Sequence, residues 1–166
     1  MRLAQTVSLI AATITTGLMA GLFAAFAYAV MPALKAAGDR TFVDVMQRIN
    51  VTIVNGWFML SFLGALGFTA LAAFLAWRGE GREALPWIIA GLVLYLVMFV
   101  ITSAVNVPLN DQLAAAGKPG HIADVAAVRE RFESAWVIWN TVRALANTAA
   151  FGCLTWALIV YGRSSA

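Results

Sequence analysis

Four long apolar segments, separated by shorter polar ones, account for most of this chain of 166 residues. They cover residues 4–31, 55–77, 85–107 and 136–161. Each is long enough for a helix that crosses a bilayer, which needs about 20 apolar residues. Only 11% of the residues are charged, against about 25% in a typical soluble domain. The sequence therefore predicts an all-α membrane protein, a single domain over residues 1–166 in which four transmembrane helices form a bundle.

The first apolar segment is longer than the apolar core of a signal peptide, which has about 7–15 residues. We therefore expect an uncleaved span, and we expect Pro32 to end it because proline interrupts helical hydrogen bonding. Small side chains recur at every fourth position of this span: Thr13, Gly17, Gly21 and Ala25. This spacing predicts a flat helix face that packs closely against another span.

Two amphipathic segments lie between the spans. In the first, residues 35–50, Asp39 is the expected N-cap, and apolar residues follow at helical spacing: Phe42, Val45, Met46 and Ile49. The second begins at His121 and has the same spacing: Val125, Val128, Phe132 and Trp136. We expect it to continue into the fourth span as one helix that protrudes from the hydrocarbon layer. Short amphipathic helices are thus predicted at one end of the bundle, at the membrane surface.

Four spans place both termini and the hairpin of residues 78–83 on one side of the membrane, and both amphipathic segments on the other. Polar and tryptophan side chains gather on the amphipathic side: Asn50, Asn55, Asn106, Asn110, Trp136, Asn140 and Arg143. Basic residues are divided between the two sides, so the positive-inside rule gives only a weak signal. We expect a multi-pass protein of the cell membrane with its termini in the cytoplasm.

The fourth span carries the most unusual polar pattern. Trp136, Asn140 and Arg143 are spaced by four and three residues, so they share one face of a helix. A guanidinium at the membrane centre is unfavourable by roughly 2.5–3.5 kcal/mol, so it normally has a partner or lines a wet cavity. The alternative is an arginine that extends to the interface and has no chemical role.

The end of the third span carries Asn106, Pro108, Asn110 and Asp111, which predict a break in the helix. If the helix instead continued through Pro108, Asn106 and Asn110 would face the same way. Amides that merely cap a helix end are a further alternative. The expected partners of Arg143 are amide or carboxylate groups at this end of the bundle: Asn106, Asn110, Asp111 or Glu133.

Composition argues against several kinds of site. Cys153 is the only cysteine and His121 the only histidine, so one chain can form neither an internal disulfide nor a multi-histidine metal centre. We expect no metal and no cofactor. The basic residues are scattered between the spans, which argues against nucleic acid as a partner. The expected partners are the lipid bilayer, a hydrophobic small-molecule substrate, and a second copy or a membrane complex.

Three stretches of the sequence carry a resemblance to a known family: residues 21–32 (GLFAAFAYAVMP), residues 106–110 (NVPLN), and the pattern Trp136-x-x-x-Asn140-x-x-Arg143. With these, nearly the whole chain resembles the DUF1772 family of small four-helix membrane proteins, which includes the fungal anthrone oxygenases. One departure is the pair Trp136 and Trp139, which the fungal enzymes tend to lack. The resemblance implies oxidation of an anthrone to an anthraquinone by dioxygen, with no metal or flavin.

The resemblance also implies roles for individual residues. Arg143 and Asn140 would hold the oxyanion, and Asn106 and Asn110 would orient the substrate carbonyl. The substrate-binding candidates are Trp136 and Trp139, which would stack on the rings, with Trp57 and Asn55 at the start of the second span. Candidates for the base that removes the proton are His121, Asp111 and Glu133.

A second interpretation is a non-catalytic membrane protein, either a small-molecule binder or an accessory subunit of a membrane complex. A channel or transporter is less well supported, because only Arg143 is both ionisable and clearly within a span. The observation that separates an enzyme from an accessory subunit is whether the polar side chains converge on a cavity: Asn106, Asn110, Asn140 and Arg143.

Overall fold

A computed structural model of the chain describes residues 2–79 and 81–164, so the hairpin residue Glu80 lies outside the described residues. The helices are α1 (Arg2–Ala25), α2 (Met31–Lys35), α3 (Asp39–Thr52), α4 (Gly56–Arg78), α5 (Leu85–Ile101), α6 (Val107–Ala115) and α7 (Val125–Ser164). Two π-helical turns, Phe26–Val30 and Thr102–Asn106, join α1 to α2 and α5 to α6. The chain is 88% helix, and the described part contains no strand, which confirms the all-α prediction.

The described part of the chain has four helical stretches that are long and apolar enough to cross a membrane: Arg2–Lys35, Gly56–Arg78, Leu85–Ala115 and Val125–Arg163. The protein is therefore a multi-pass membrane protein. In the bundle, α1 packs on α4 and α7, and α5 packs on α7 and α4. The hydroxyl of Tyr161 donates to the carbonyl of Arg2 over 3.4 Å, which places the first and last turns of the described chain at one end.

Pro32 and Pro108 lie inside continuous helices. The predictions that Pro32 ends the first span and that the helix breaks at Pro108 are therefore wrong. In each case the residue before the proline donates its backbone N–H to the carbonyl five residues earlier, Met31 to Phe26 and Val107 to Thr102. A proline ring in an α-helix clashes with the carbonyl four residues before it. The wider π turn moves that carbonyl aside, so the helix can continue past the proline.

Helix α7 is a single helix of 40 residues, as predicted for the second amphipathic segment and the fourth span. At 1.5 Å per residue it is about 60 Å long, roughly twice the thickness of the hydrocarbon layer. Its first turns protrude at the same end of the bundle as α3, so the amphipathic helices gather at one end as expected.

Helix α3 buries Phe42, Val43 and Met46 against α7 and α6. Val43, not the expected Val45, completes this apolar face. Asp39 is not an N-cap: Gly38 occupies that position and makes no side-chain hydrogen bond.

Asp39 instead accepts a hydrogen bond from Arg129 of α7 over 3.0 Å. Arg129 also donates to Glu133 over 2.6 Å and to the carbonyls of Ala37 and Lys35, and its guanidinium lies 4.5 Å from the centre of the Phe42 ring. This arginine therefore fastens the turn between α2 and α3 to α7, and it fixes the position of α3 over the end of the bundle.

Only part of the predicted small-residue stripe is a packing face. A Cβ atom added to Gly17 would lie 2.9 Å from a ring carbon of Phe151, so α1 and α7 approach closely there. A Cβ added to Gly21 would meet no atom within 4 Å. The prediction is therefore correct at Gly17 and wrong at Gly21, where the space beside the helix is open.

Candidate functional site

Arg143 lies inside the bundle with only 5% of its surface exposed, so it does not extend to the interface. Its Nε and Nη2 groups donate to Oδ1 of Asn140 over 3.3 and 3.1 Å. Nη1 makes a longer contact of 3.5 Å with the hydroxyl of Thr102, the first residue of the second π turn. Two helical stretches thus fix the plane of the guanidinium.

Aromatic rings lie beside the same guanidinium. Its central carbon is 4.4 Å from the ring centre of Phe23 and 5.2 Å from that of Trp136. Contacts of a cation with a ring face are worth about 2 kcal/mol or more when both groups are shielded from water. The rings therefore stabilise a positive charge that hydrogen bonds alone do not neutralise.

Within the described residues, no carboxylate pairs with Arg143, and the four partners predicted for it are wrong. The amide of Asn106 donates to the carbonyl of Trp136 over 3.4 Å, and Oδ1 of Asn110 accepts from the indole of Trp136 over 2.8 Å. Glu133 is paired with Arg129, and Asp111 is exposed. The result is a buried cation without a counter-charge from the described protein.

Asn140 holds this cation in place. It is fully buried, its oxygen accepts both arginine bonds, and its nitrogen donates to the carbonyl of Phe23 over 3.2 Å. Phe23 lies just before the first π turn, as Thr102 lies at the start of the second. Segments of π-helix are frequent at functional sites. Here the second π turn contains Thr102, which contacts Arg143 directly. The first π turn follows Phe23, whose carbonyl holds Asn140 and so positions Arg143 indirectly.

Arg143 lines a cavity of about 250 Å³ at the polar end of the bundle. The aromatic part of the lining comes from five residues: Phe23, Phe26, Phe58, Phe62 and Trp136. The polar part comes from four: Asn50, Thr102, Asn110 and Arg143. An apolar cleft with a few convergent polar groups is the usual form of a small-molecule site, and this volume is slightly below the usual range of about 300–1,000 Å³.

The predicted site residues fall into three groups in the structure. Arg143, Asn110 and Trp136 line the cavity. Asn140 and Asn106 are fully buried beside it and do not line it.

The structure does not bring the three remaining candidates to the cavity. Trp57 is 82% exposed and Trp139 is 38% exposed, which places them on the outer surface of the bundle. Asn55 caps α4, because its side-chain oxygen accepts from the backbone N–H groups of Trp57 and Phe58 over 3.0 and 3.1 Å.

Several cavity residues were not predicted. Phe58 and Phe62 stack with their ring centres 5.3 Å apart, and Phe99 continues the stack 5.1 Å beyond Phe62. Their spacing of four residues on α4 was visible in the sequence, but phenylalanine is common in every span. Thr102 could have been found, because it precedes Asn106 by four residues and therefore shares its helix face.

None of the predicted bases lines the cavity: His121, Asp111 and Glu133 all lie elsewhere. Among the residues that the structure describes, no group of three histidine, cysteine or acidic side chains is arranged to hold a metal ion. The chemistry of the cavity is therefore that of one cation, a hydroxyl, two amides and several aromatic rings.

Comparison with known proteins identifies a family. A family model described as anthrone oxygenase matches residues 58–153, more than half of the chain. The matched region includes Arg143, Thr102 and Phe62, whereas α1 and α3 lie outside it. No curated protein and no solved structure matches the chain.

Proposed function

The chain belongs to the anthrone oxygenase (DUF1772) family, and from this premise we propose that its cavity binds a lipophilic, enolisable aromatic ketone and oxidises it with dioxygen. The reaction would convert a ring methylene into a carbonyl without a metal or an organic cofactor. The substrate would enter from the bilayer, where such a ketone is concentrated.

The observation that carries this proposal is the buried guanidinium of Arg143, which lines an aromatic cavity and has no carboxylate partner in the described chain. A charge in this position is stabilised when a ligand supplies the opposite charge. The enolate of an anthrone is an aromatic anion with its charge on a ring oxygen. It would match both the cation and the aromatic walls.

The proposed reaction uses only the substrate and dioxygen. Loss of one methylene proton gives the enolate, which transfers one electron to dioxygen. The resulting superoxide and carbon radical combine into a peroxide anion, which takes up a proton. The second proton then leaves the carbon, the O–O bond breaks, and hydroxide departs with the electron pair. One oxygen atom becomes the new carbonyl and the other becomes water.

Arg143 is the residue that would contact the reacting group, because its guanidinium lines the cavity and would donate an N–H to the enolate oxygen. Stabilising this anion would lower the pKa of the ketone and so favour loss of the first proton, which would pass to a water molecule at the polar end. Asn140 would position the guanidinium, and Thr102 would limit its movement. The aromatic walls exclude bulk water, which strengthens the electrostatic interaction.

The test is oxidation of anthrone by the purified protein in lipid nanodiscs, with dioxygen labelled with heavy oxygen. We expect anthraquinone that contains one labelled oxygen atom, and activity that persists after treatment with a chelator. Arg143→Met should lower kcat by about 10²–10³-fold, the usual loss when one donor to an oxyanion is removed. Arg40→Met is the matched control, since Arg40 is exposed and lies on α3 away from the cavity lining.

Equal rates for the parent, Arg143→Met and protein-free nanodiscs would overturn the proposal, because anthrones also oxidise slowly without a catalyst. Tight binding of anthrone without acceleration would instead support the second interpretation, a membrane protein that binds aromatic ligands.

We also propose that the spans lie in the cell membrane with both termini in the cytoplasm. Basic residues border the span ends on the terminal side: Arg2, Arg78, Arg82 and Arg163. Positive charges next to span ends favour the cytoplasmic side.

A further inference from the structure

Asn50, near the end of α3, lines the same cavity as Arg143. Its side-chain nitrogen is buried and has no hydrogen-bond partner within the described chain. Buried polar groups in native proteins almost always have a partner, so each exception calls for an explanation. Ile49 and Ile53 of the same cavity lining have no acceptor to offer it, and it makes no hydrogen bond to the lining residues Thr102 and Asn110.

A second amide on the same helix shows that α3 can satisfy such a group by structural contacts. The nitrogen of Gln47 donates to the carbonyls of Leu113 and Gly117 over 2.8 and 3.0 Å, and these bonds fasten α3 to α6. The Asn50 nitrogen makes no comparable bond, although it lies only one turn away. The contacts that attach α3 to the bundle therefore do not explain why a polar amide is buried at Asn50.

We propose that Asn50 is a specificity-determining residue that donates a hydrogen bond to a neutral acceptor oxygen of the bound ligand. The proposal rests on the function proposed above, in which Arg143 holds the anionic oxygen of the same molecule. The two contacts come from different elements, α3 and α7, so together they fix how a flat ligand lies between the aromatic walls.

This inference narrows the class of substrate. A ring system with a single oxygen function can satisfy Arg143 but leaves the Asn50 donor unpaired. An aromatic ketone with a second acceptor oxygen on its ring system satisfies both. Sites built to form a hydrogen bond discriminate strongly against analogues that lack the bonding group.

The experiment compares pairs of ring-substituted anthrones. In each pair, one compound carries a methoxy group and the other an ethyl group at the same ring position, and one pair is tested for each available position. The two groups are similar in size, and only the methoxy group can accept a hydrogen bond. At the position that reaches Asn50, the parent should prefer the methoxy compound by about tenfold in kcat/KM and in Kd, the usual effect of one hydrogen bond. Kd can be followed by quenching of tryptophan fluorescence, because Trp136 lines the cavity.

Asn50→Leu should reduce this preference to near one, in kcat/KM and in Kd. The ratio of the two substrates is insensitive to the fraction of folded protein, so a general structural effect would not change it. Thr52→Val is the matched control: Thr52 is exposed on the same helix and lies outside the cavity lining, so its removal should preserve the preference.

The outcomes separate the two proposals. If the parent shows no preference at any position, or if Asn50→Leu keeps the preference, the role of Asn50 is refuted while oxidation of anthrone can stand. If anthrone is bound but not oxidised and the binding preference still depends on Asn50, the contact is supported and the oxygenase function is refuted. If the parent binds neither compound, both proposals are refuted.

Discussion

The indole N–H of Trp136 donates to Oδ1 of Asn110 over 2.8 Å, and this bond joins α7 to α6 two residues after Pro108. The same tryptophan packs against Phe26, with ring centres 5.6 Å apart, and accepts the bond from Asn106 through its backbone carbonyl. Trp136 thus joins α7 to both π turns, through Phe26 and Asn106, and to α6 through Asn110. Its ring then forms part of the cavity wall.

The first prediction follows from this bond. Trp136→Phe keeps an aromatic wall but leaves the Asn110 oxygen without its donor, so the free energy of unfolding should fall by about 1–3 kcal/mol. Thermal unfolding in detergent measures the change. Trp139→Phe is the control, because Trp139 is 38% exposed and does not line the cavity, and it should shift the unfolding temperature much less. Equal shifts in the two variants would contradict the assignment.

The second prediction uses the two glycines of α1. Gly17→Leu should strongly reduce the yield of folded protein, because a side chain there collides with Phe151 of α7. Gly21→Leu should express and purify like the parent, because the space beside Gly21 is open. Size-exclusion chromatography of both variants provides the comparison. Loss of the Gly21 variant alone would show that this face packs against another molecule.

Hydropathy was enough to predict four spans, a long final helix and the gathering of polar residues at one end. The shared face of Trp136, Asn140 and Arg143 was also readable, because it depends only on helical periodicity. The continuity of the helices through Pro32 and Pro108 could not be predicted. The sequence signals for a helix end and for a π turn before a proline are the same.

The partners of Arg143 could not be predicted for a different reason. The sequence predicted amide or carboxylate partners at the polar end of the bundle: Asn106, Asn110, Asp111 or Glu133. In the bundle the guanidinium is held instead by Asn140, Thr102 and the ring of Phe23. Packing of the whole bundle decides which face of α1 contacts α7. No local pattern in the sequence indicates that face.

The third prediction concerns topology. In a Cys153→Ser background, Arg82→Cys and Lys118→Cys should be labelled from opposite sides of the membrane by an impermeant thiol reagent. Arg82 lies in the hairpin that follows α4, and Lys118 lies in the loop that follows α6. If the termini are cytoplasmic, as proposed above, Arg82→Cys should also be protected from the reagent in intact cells. Labelling of both positions from one side would refute the four-span arrangement.

The fourth prediction distinguishes the charge of Arg143 from its shape. Lysine keeps the charge but gathers its donors at one nitrogen, so Arg143→Lys cannot contact Asn140 and Thr102 while also holding a substrate oxygen. We expect kcat on anthrone to fall by about tenfold or more, while the unfolding temperature stays closer to that of the parent than in Arg143→Met. Full activity of the lysine variant would show that charge alone is sufficient.

The last prediction supplies Arg143 with the carboxylate that it lacks. Asn140→Asp changes one atom of the side chain and places a negative charge where Oδ1 already lies 3.1 Å from Nη2 of Arg143. The new ion pair would neutralise the cation and compete with the enolate, so kcat/KM on anthrone should fall by about 100-fold or more. The variant loses the bond to the carbonyl of Phe23, but a charge-assisted pair offsets that loss, so it should still fold. Circular dichroism and thermal unfolding establish folding independently of activity. If the folded variant oxidised anthrone at the parent rate, the uncompensated charge of Arg143 would have no role in catalysis.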